Sequence, residues 1–180
     1  MTGSSGSVKF YNTKSVLAPR AQFLWKRIIV TMRDNEKYLI WSMVSGKFMT
    51  FDGESLSSSG TGEGELSKIT SKRDTKATEI VNSFHLTFQR KNGSKYAISA
   101  DYNEDAVSVK ELTDESPNAT VAFVPQLFGG GPFSALILKT ESSSTTTTKC
   151  IASNRSGTLT LKKFDGFSPH PDTLFIITEA

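Results

Sequence analysis

Apolar positions along the chain recur at short range and alternate with polar ones, the pattern of strands with one buried face. The segment KYLIWSMVSGKFMTF, residues 37–51, reads as two strands joined by a turn. KYAISADYNEDAVSV (95–109) and KCIASNRSGTLTL (149–161) repeat the arrangement. Each holds an isoleucine followed two places later by a small residue, in the pairs Ile40 and Ser42, Ile98 and Ala100, and Ile151 and Ser153. An apolar, hydroxyl, apolar triplet follows in each: Met49-Thr50-Phe51, Val107-Ser108-Val109 and Leu159-Thr160-Leu161. The isoleucines lie 58 and then 53 residues apart, so the chain reads as three degenerate copies of one unit.

Further strand signals are FLWKRIIVTM (23–32), SFHLTF (83–88), TVAFVPQ (120–126), FSALILKT (133–140) and TLFIIT (173–178). With the six repeat strands these make eleven, and KATEIVN (76–82) supplies a twelfth or a short helix. No segment keeps a helical period over three turns; the longest candidate, Ser71 to Asn82, is marginal. The stretch GESLSSSGTGEGE, 53–65, lacks an apolar pattern and reads as a mobile surface loop. Parallel α/β architectures are excluded because their crossover helices are missing. Short strands in three copies predict an all-β domain, a β-trefoil of about twelve strands, with a six-stranded barrel and a hairpin cap. Closure of such a barrel buries its apolar face and leaves no open edge.

The length of 180 residues suits one domain, here residues 23–180 after a Ser- and Gly-rich flexible tail or pro-segment at 1–22. Lysines and arginines give a net charge of +3 but are scattered among 18 acids, which describes a solvated surface better than a polyanion site. One cysteine, Cys150, excludes an internal disulfide and a Cys-rich zinc site. No apolar run is long enough to span a bilayer, and the opening residues, without an uninterrupted apolar stretch, lead to the expectation of no cleaved secretory signal. The sequons at Asn92, Asn118 and Asn154 are then expected to stay unmodified and to serve as turn residues.

Candidate chemistry is sparse. His85 lies within a strand and His170 between Pro169 and Pro171, and both read as structural histidines. Cys150 sits in a repeat strand as a small buried hydrophobe. FGGGPF, 128–133, lacks the helix N-terminus or Lys-Ser/Thr continuation of a phosphate loop, and SSSTTTT, 142–148, reads as a hairpin tip. The expectation is a non-enzyme with no cofactor and no metal.

Four stretches carry a family likeness: AVSVKEL (106–112), NATVAFVPQLFGGGPFSALILKTES (118–142), CIASNRSGTLTLKKFDG (150–166) and the terminal TLFIITEA. They resemble the C-terminal half of interleukin-1 family cytokines, and VKFYNT (8–13) is similar to the start of a family pro-segment. The resemblance implies a pro-inflammatory-type ligand that binds a primary immunoglobulin-domain receptor and recruits an accessory one. It implies receptor ectodomains as partners, no nucleic acid, no membrane insertion and action as a monomer. Release from the cell would be unconventional, from a cytoplasmic precursor pool. Alignment on YLIW puts Arg27, Arg33 and Glu36 at or beside primary-receptor positions, with Asp52 and Glu54 placed similarly. Lys110, in VKEL, resembles the lysine that faces the second receptor. A caspase cut after Asp is the usual maturation step of the branch concerned. No Asp precedes Asp34, so the expectation is a tail retained, or trimmed near Arg20 by another protease. The alternatives are a carbohydrate- or heparin-binding trefoil or a trefoil protease inhibitor. Gln126-Leu127-Phe128 is the one near match to a lectin motif, Lys139, Lys149, Arg155, Lys162 and Lys163 would serve heparin, and a single Cys cannot supply the inhibitors' disulfides.

Overall fold

A computed structural model describes residues 32–74, 82–112, 121–128, 131–139 and 148–180. They form twelve strands: β1 (Lys37–Ser42), β2 (Phe48–Phe51), β3 (Leu56–Gly60), β4 (Ile69–Arg73), β5 (Phe84–Gln89) and β6 (Lys95–Asp101), followed by β7 (Ala106–Leu112), β8 (Phe123–Leu127), β9 (Phe133–Leu138), β10 (Lys149–Ser153), β11 (Leu159–Lys163) and β12 (Phe175–Glu179). Helical structure among the described residues is limited to two 3-10 turns, Glu65–Ser67 and Pro171–Thr173. The fold is all-β, as the alternating pattern predicts.

Alternation decides which way each strand faces. In β1, Tyr38, Ile40 and Ser42 point inward while Lys37, Leu39 and Trp41 are more open. In β11, Leu159 and Leu161 are buried and Thr160 and Lys162 exposed. Strand β5 differs, being buried from Phe84 to Phe88, and it pairs with three strands, β4, β6 and β8. The inward residues meet in one core of Tyr38, Ile40, Phe51, Leu86, Phe88, Phe123, Leu136, Ile151 and Phe175, with their neighbours. Truncating one of these phenylalanines to alanine would cost about 3–5 kcal/mol.

All pairings are antiparallel, and they close. Nine strands, β1, β4, β5, β6, β7, β11, β10, β9 and β12, return on themselves as a barrel to which the remaining strands attach. Strand β8 bridges β5 and β9, which gives a shorter ring through β1, β4, β5, β8, β9 and β12. Closure leaves no unpaired edge around that ring to recruit a foreign strand.

Pairing roles repeat along the chain. Strands β1, β5 and β9 each pair the strand that follows and two further ring strands. They start at Lys37, Phe84 and Phe133, 47 and 49 residues apart. This corrects the sequence repeat in its first copy. The segment 37–51 is β1 and β2, whereas 95–109 and 149–161 are β6–β7 and β10–β11, one strand further on in the pattern. KYLI opens β1 and KYAI opens β6, so their likeness does not mark equivalent positions.

Two other expectations change. The 53–65 stretch is not a mobile loop: it contains β3, held to β2 by Phe51↔Leu56, Thr50↔Ser57 and Phe48↔Gly60. Ser71 to Arg73 belongs to β4 and not to a helix; residues 75–81 of that candidate lie outside the described residues. So do residues 1–31, with the 1–22 tail and most of the 23–32 strand, and residues 113–120, 129–130 and 140–147.

Candidate functional site

Local hydrogen bonding builds the turn from β2 to β3. The Asp52 carboxylate accepts the backbone N–H groups of Ser55 and Glu54, both at 2.8 Å, and the Ser55 hydroxyl at 3.0 Å. The donors from Ser55 and then Glu54 hold the Asp52 carboxyl below the usual carboxylate range, so its charge is fixed in place. Glu54 is exposed beside it.

Across from this turn lies an open groove of about 530 Å³, bordered by Asp52, Glu63–Leu66 and Gln89–Asn92. Its lining carries both signs of charge, Asp52, Glu63 and Glu65 together with Arg90 and Lys91. The Arg90 guanidinium lies over the Tyr96 ring, 5.8 Å from its centroid, and Tyr96 packs on Phe51 at 4.9 Å. Arg90 also lies so close to Gly53 that a Cβ there would fall 1.9 Å from its Nη2. Glycine at 53, with φ of 107°, therefore serves both the turn and the seat of Arg90.

Arg33 and Glu36 flank the Asp34-Asn35 turn before β1, where Asn35 takes φ 59°. Arg33 N donates to the Tyr38 hydroxyl at 2.7 Å, Asn35 N to Ser71 O at 2.8 Å, and Ser71 N to Glu36 O at 3.0 Å. The Asp34 carboxylate accepts Arg73 N at 2.7 Å. The backbone is thus fastened to β4 while both charged side chains of interest stay exposed. Lys37, next in the chain, reaches Glu65 at 3.3 Å, and Lys68 meets the same carboxylate at 2.7 Å. Lys68 and Lys37 lower the Glu65 pKa. Through that contact β1, which follows the Arg33–Glu36 turn, reaches the groove that Asp52 lines. Lys110 is exposed on β7, opposite Ala97 of β6. Arg27 lies outside the described residues.

Sequence reasoning missed three charge clusters, two of which join segments far apart in the chain. Asp74, after β4, meets Lys139, after β9, at 2.6 Å, the Ser83 hydroxyl at 3.1 Å and His85 at 3.7 Å. Burial lowers the His85 pKa against the opposing pull of Asp74. Asp172 meets Lys162 and, at 2.6 Å, His170. Burial raises the Asp172 pKa, but Lys162 and His170 outweigh it and the net direction is down. Lys149 pairs with Asp105 and lies over Tyr102. Three of the five heparin candidates, Lys139, Lys149 and Lys162, are therefore engaged with carboxylates.

Cys150 is buried against Ala135 and Ile137, and burial pushes its thiol up to about 11. It is a packing residue, as read from its strand. Asn92 and Asn154 are turn residues: Asn92 accepts Ser94 N at 3.1 Å and Asn154 accepts Thr158 N at 2.9 Å. Among the described residues no group of three His, Cys, Asp or Glu side chains is placed to hold a metal. No protein family and no curated protein matches the chain.

Proposed function

We propose that the barrel is a β-trefoil and the chain a cytokine of the interleukin-1 family, closest to its interleukin-18 branch. In this reading it acts outside the cell, binding a primary immunoglobulin-domain receptor and recruiting an accessory one. The observation that carries the reading is the threefold recurrence of pairing roles at β1, β5 and β9 around a six-strand ring. A ring with three attached hairpins is what the trefoil named by the sequence motifs requires. Exposed charge on short, hydrogen-bonded turns fits binding by a surface: Arg33, Glu36 and Glu54 project from backbone that is already ordered, which lowers the entropic cost of docking. Charges of that kind set specificity and association rate.

Surface binding of the full chain to a panel of interleukin-1-family receptor ectodomains tests the reading. Saturable binding to one of them, followed by capture of a second ectodomain on the binary complex, is expected. Absence of binding across the panel would overturn it. Heparin provides the competing outcome, and the engagement of Lys139, Lys149 and Lys162 disfavours it.

A further inference from the structure

Phe167, on the segment from β11 to β12, is wholly exposed. Met43 and Leu66, the other large apolar side chains most open to water among the described residues, are only 41% exposed. Water disfavours such a ring, and the loop that carries it is built rather than slack.

One foot is Phe164, whose ring meets Phe128 at 5.7 Å beside Ala135, Ile137 and Cys150. Phe164 N also donates to Thr148 O at 2.8 Å. The Asp165 carboxylate then accepts Phe167 N at 2.9 Å and Ser168 N at 3.2 Å, fixing the backbone that bears the ring. The other foot is the 3-10 turn Pro171–Thr173, where Thr173 donates twice to His170 O, from N at 2.9 Å and from Oγ1 at 2.7 Å. His170 and Asp172 are joined at 2.6 Å, and the Lys162–Asp172 ion pair ties the two feet together. Pro169 and Pro171 hold φ at two positions between them.

A fixed loop that presents one aromatic ring loses little conformational entropy on docking, the property of a hot-spot anchor. Its charges select the occupant. Lys162 and Lys163 are balanced by Asp165 and Asp172, so the loop has no net attraction for an anionic membrane, and one ring is a weak lipid anchor. An apolar pocket on a folded protein fits one ring with a neutral surround.

We propose that Phe167 is an anchor residue that seats in an apolar pocket of a receptor ectodomain, a contact separate from the Arg33, Glu36 and Asp52 surface. The proposal rests on the cytokine reading. The test measures wild type, Phe167→Ala and Phe167→Leu against the ectodomain panel. Sedimentation with phosphatidylserine–phosphatidylcholine vesicles and thermal unfolding accompany it. Phe167→Ala is expected to keep the wild-type unfolding temperature, since the ring covers nothing. It should weaken ectodomain binding about tenfold or more, chiefly through faster dissociation, with Phe167→Leu intermediate. Ectodomain binding that stays within about twofold of wild type overturns the anchor and leaves the cytokine reading standing. Loss of folding in Phe167→Ala, or vesicle binding that the substitution abolishes, also overturns it. If no ectodomain binds wild type, both readings fall.

Discussion

Ser58 and Gly157 stand 99 residues apart in the chain and touch through their backbones. Ser58 N donates to Gly157 O at 2.8 Å, and a Cβ on Gly157 would meet Ser58 O at 2.9 Å. Gly157 has φ of 91°, so a side chain there meets both a strained conformation and an unyielding neighbour. Gly157→Ala should therefore lower unfolding free energy by roughly 1–3 kcal/mol, read from urea denaturation. Unchanged stability would mean that β3 does not lean on the β10–β11 hairpin.

Acid should loosen the fold through His85. The groups facing it are Asp74, Lys139, Ser83 and the Val121 backbone. Its pKa in the folded chain lies below the unfolded value of about 6.5, so between the two the unfolded chain binds more protons. The stabilisation is present above about pH 6.5 and is lost as pH falls through the folded pKa. Urea midpoints should drop between about pH 7.5 and about pH 5.5, and the His85 ring resonance should titrate below about 6.5. A ring that titrates at or above that value rejects the mechanism.

The Cys150 thiol, pushed up to about 11 by burial, should be unreactive in the native protein. At about pH 8 only on the order of one thiol in a thousand is ionised, and the side chain is shielded as well. An aromatic disulfide reagent should yield one equivalent of colour only after denaturant is added. Prompt reaction of the folded protein would contradict the packing seen around Ala135 and Ile137.

If the proposed cytokine function holds, charge reversal should separate the two receptor contacts it requires. Glu36→Lys is expected to weaken primary ectodomain binding by about 1–3 kcal/mol if the side chain is desolvated there, and Lys110→Glu to spare that step while impairing capture of the second ectodomain. Surface binding of single and paired ectodomains reads both. Full recruitment by Lys110→Glu would remove Lys110 from the interface.

Strands with large apolar residues at alternate positions were legible in the chain, and β1, β6, β9 and β11 lie close to where their patterns end. Strand β3 was not, because LSSSG has one large apolar residue. Its inward position is Ser58, whose hydroxyl lies against that of Ser153, a contact no local window contains. In β4, ITSKR reads as polar although Ile69 and Ser71 are both buried. Asp52 was legible as an exposed acid, while its role in shaping its own turn follows from the two N–H groups it accepts. Asp74 and Lys139 carry no spacing signal at all, since two separate strand ends bring them together.

The ring is completed by a contact between its first and last members, Tyr38 facing Glu179 and Ile40 facing Ile177. A ribosome-bound chain cannot make that contact until β12 has emerged, and until then β1 and β9 each present a bare hydrogen-bonding edge. The ring is accordingly completed late, because the pairings that close it join strands distant in the chain, and folding of such an all-β topology falls in the slow range of milliseconds to seconds. Products cut short of Phe175 would be candidates for clumping and for quality-control proteolysis.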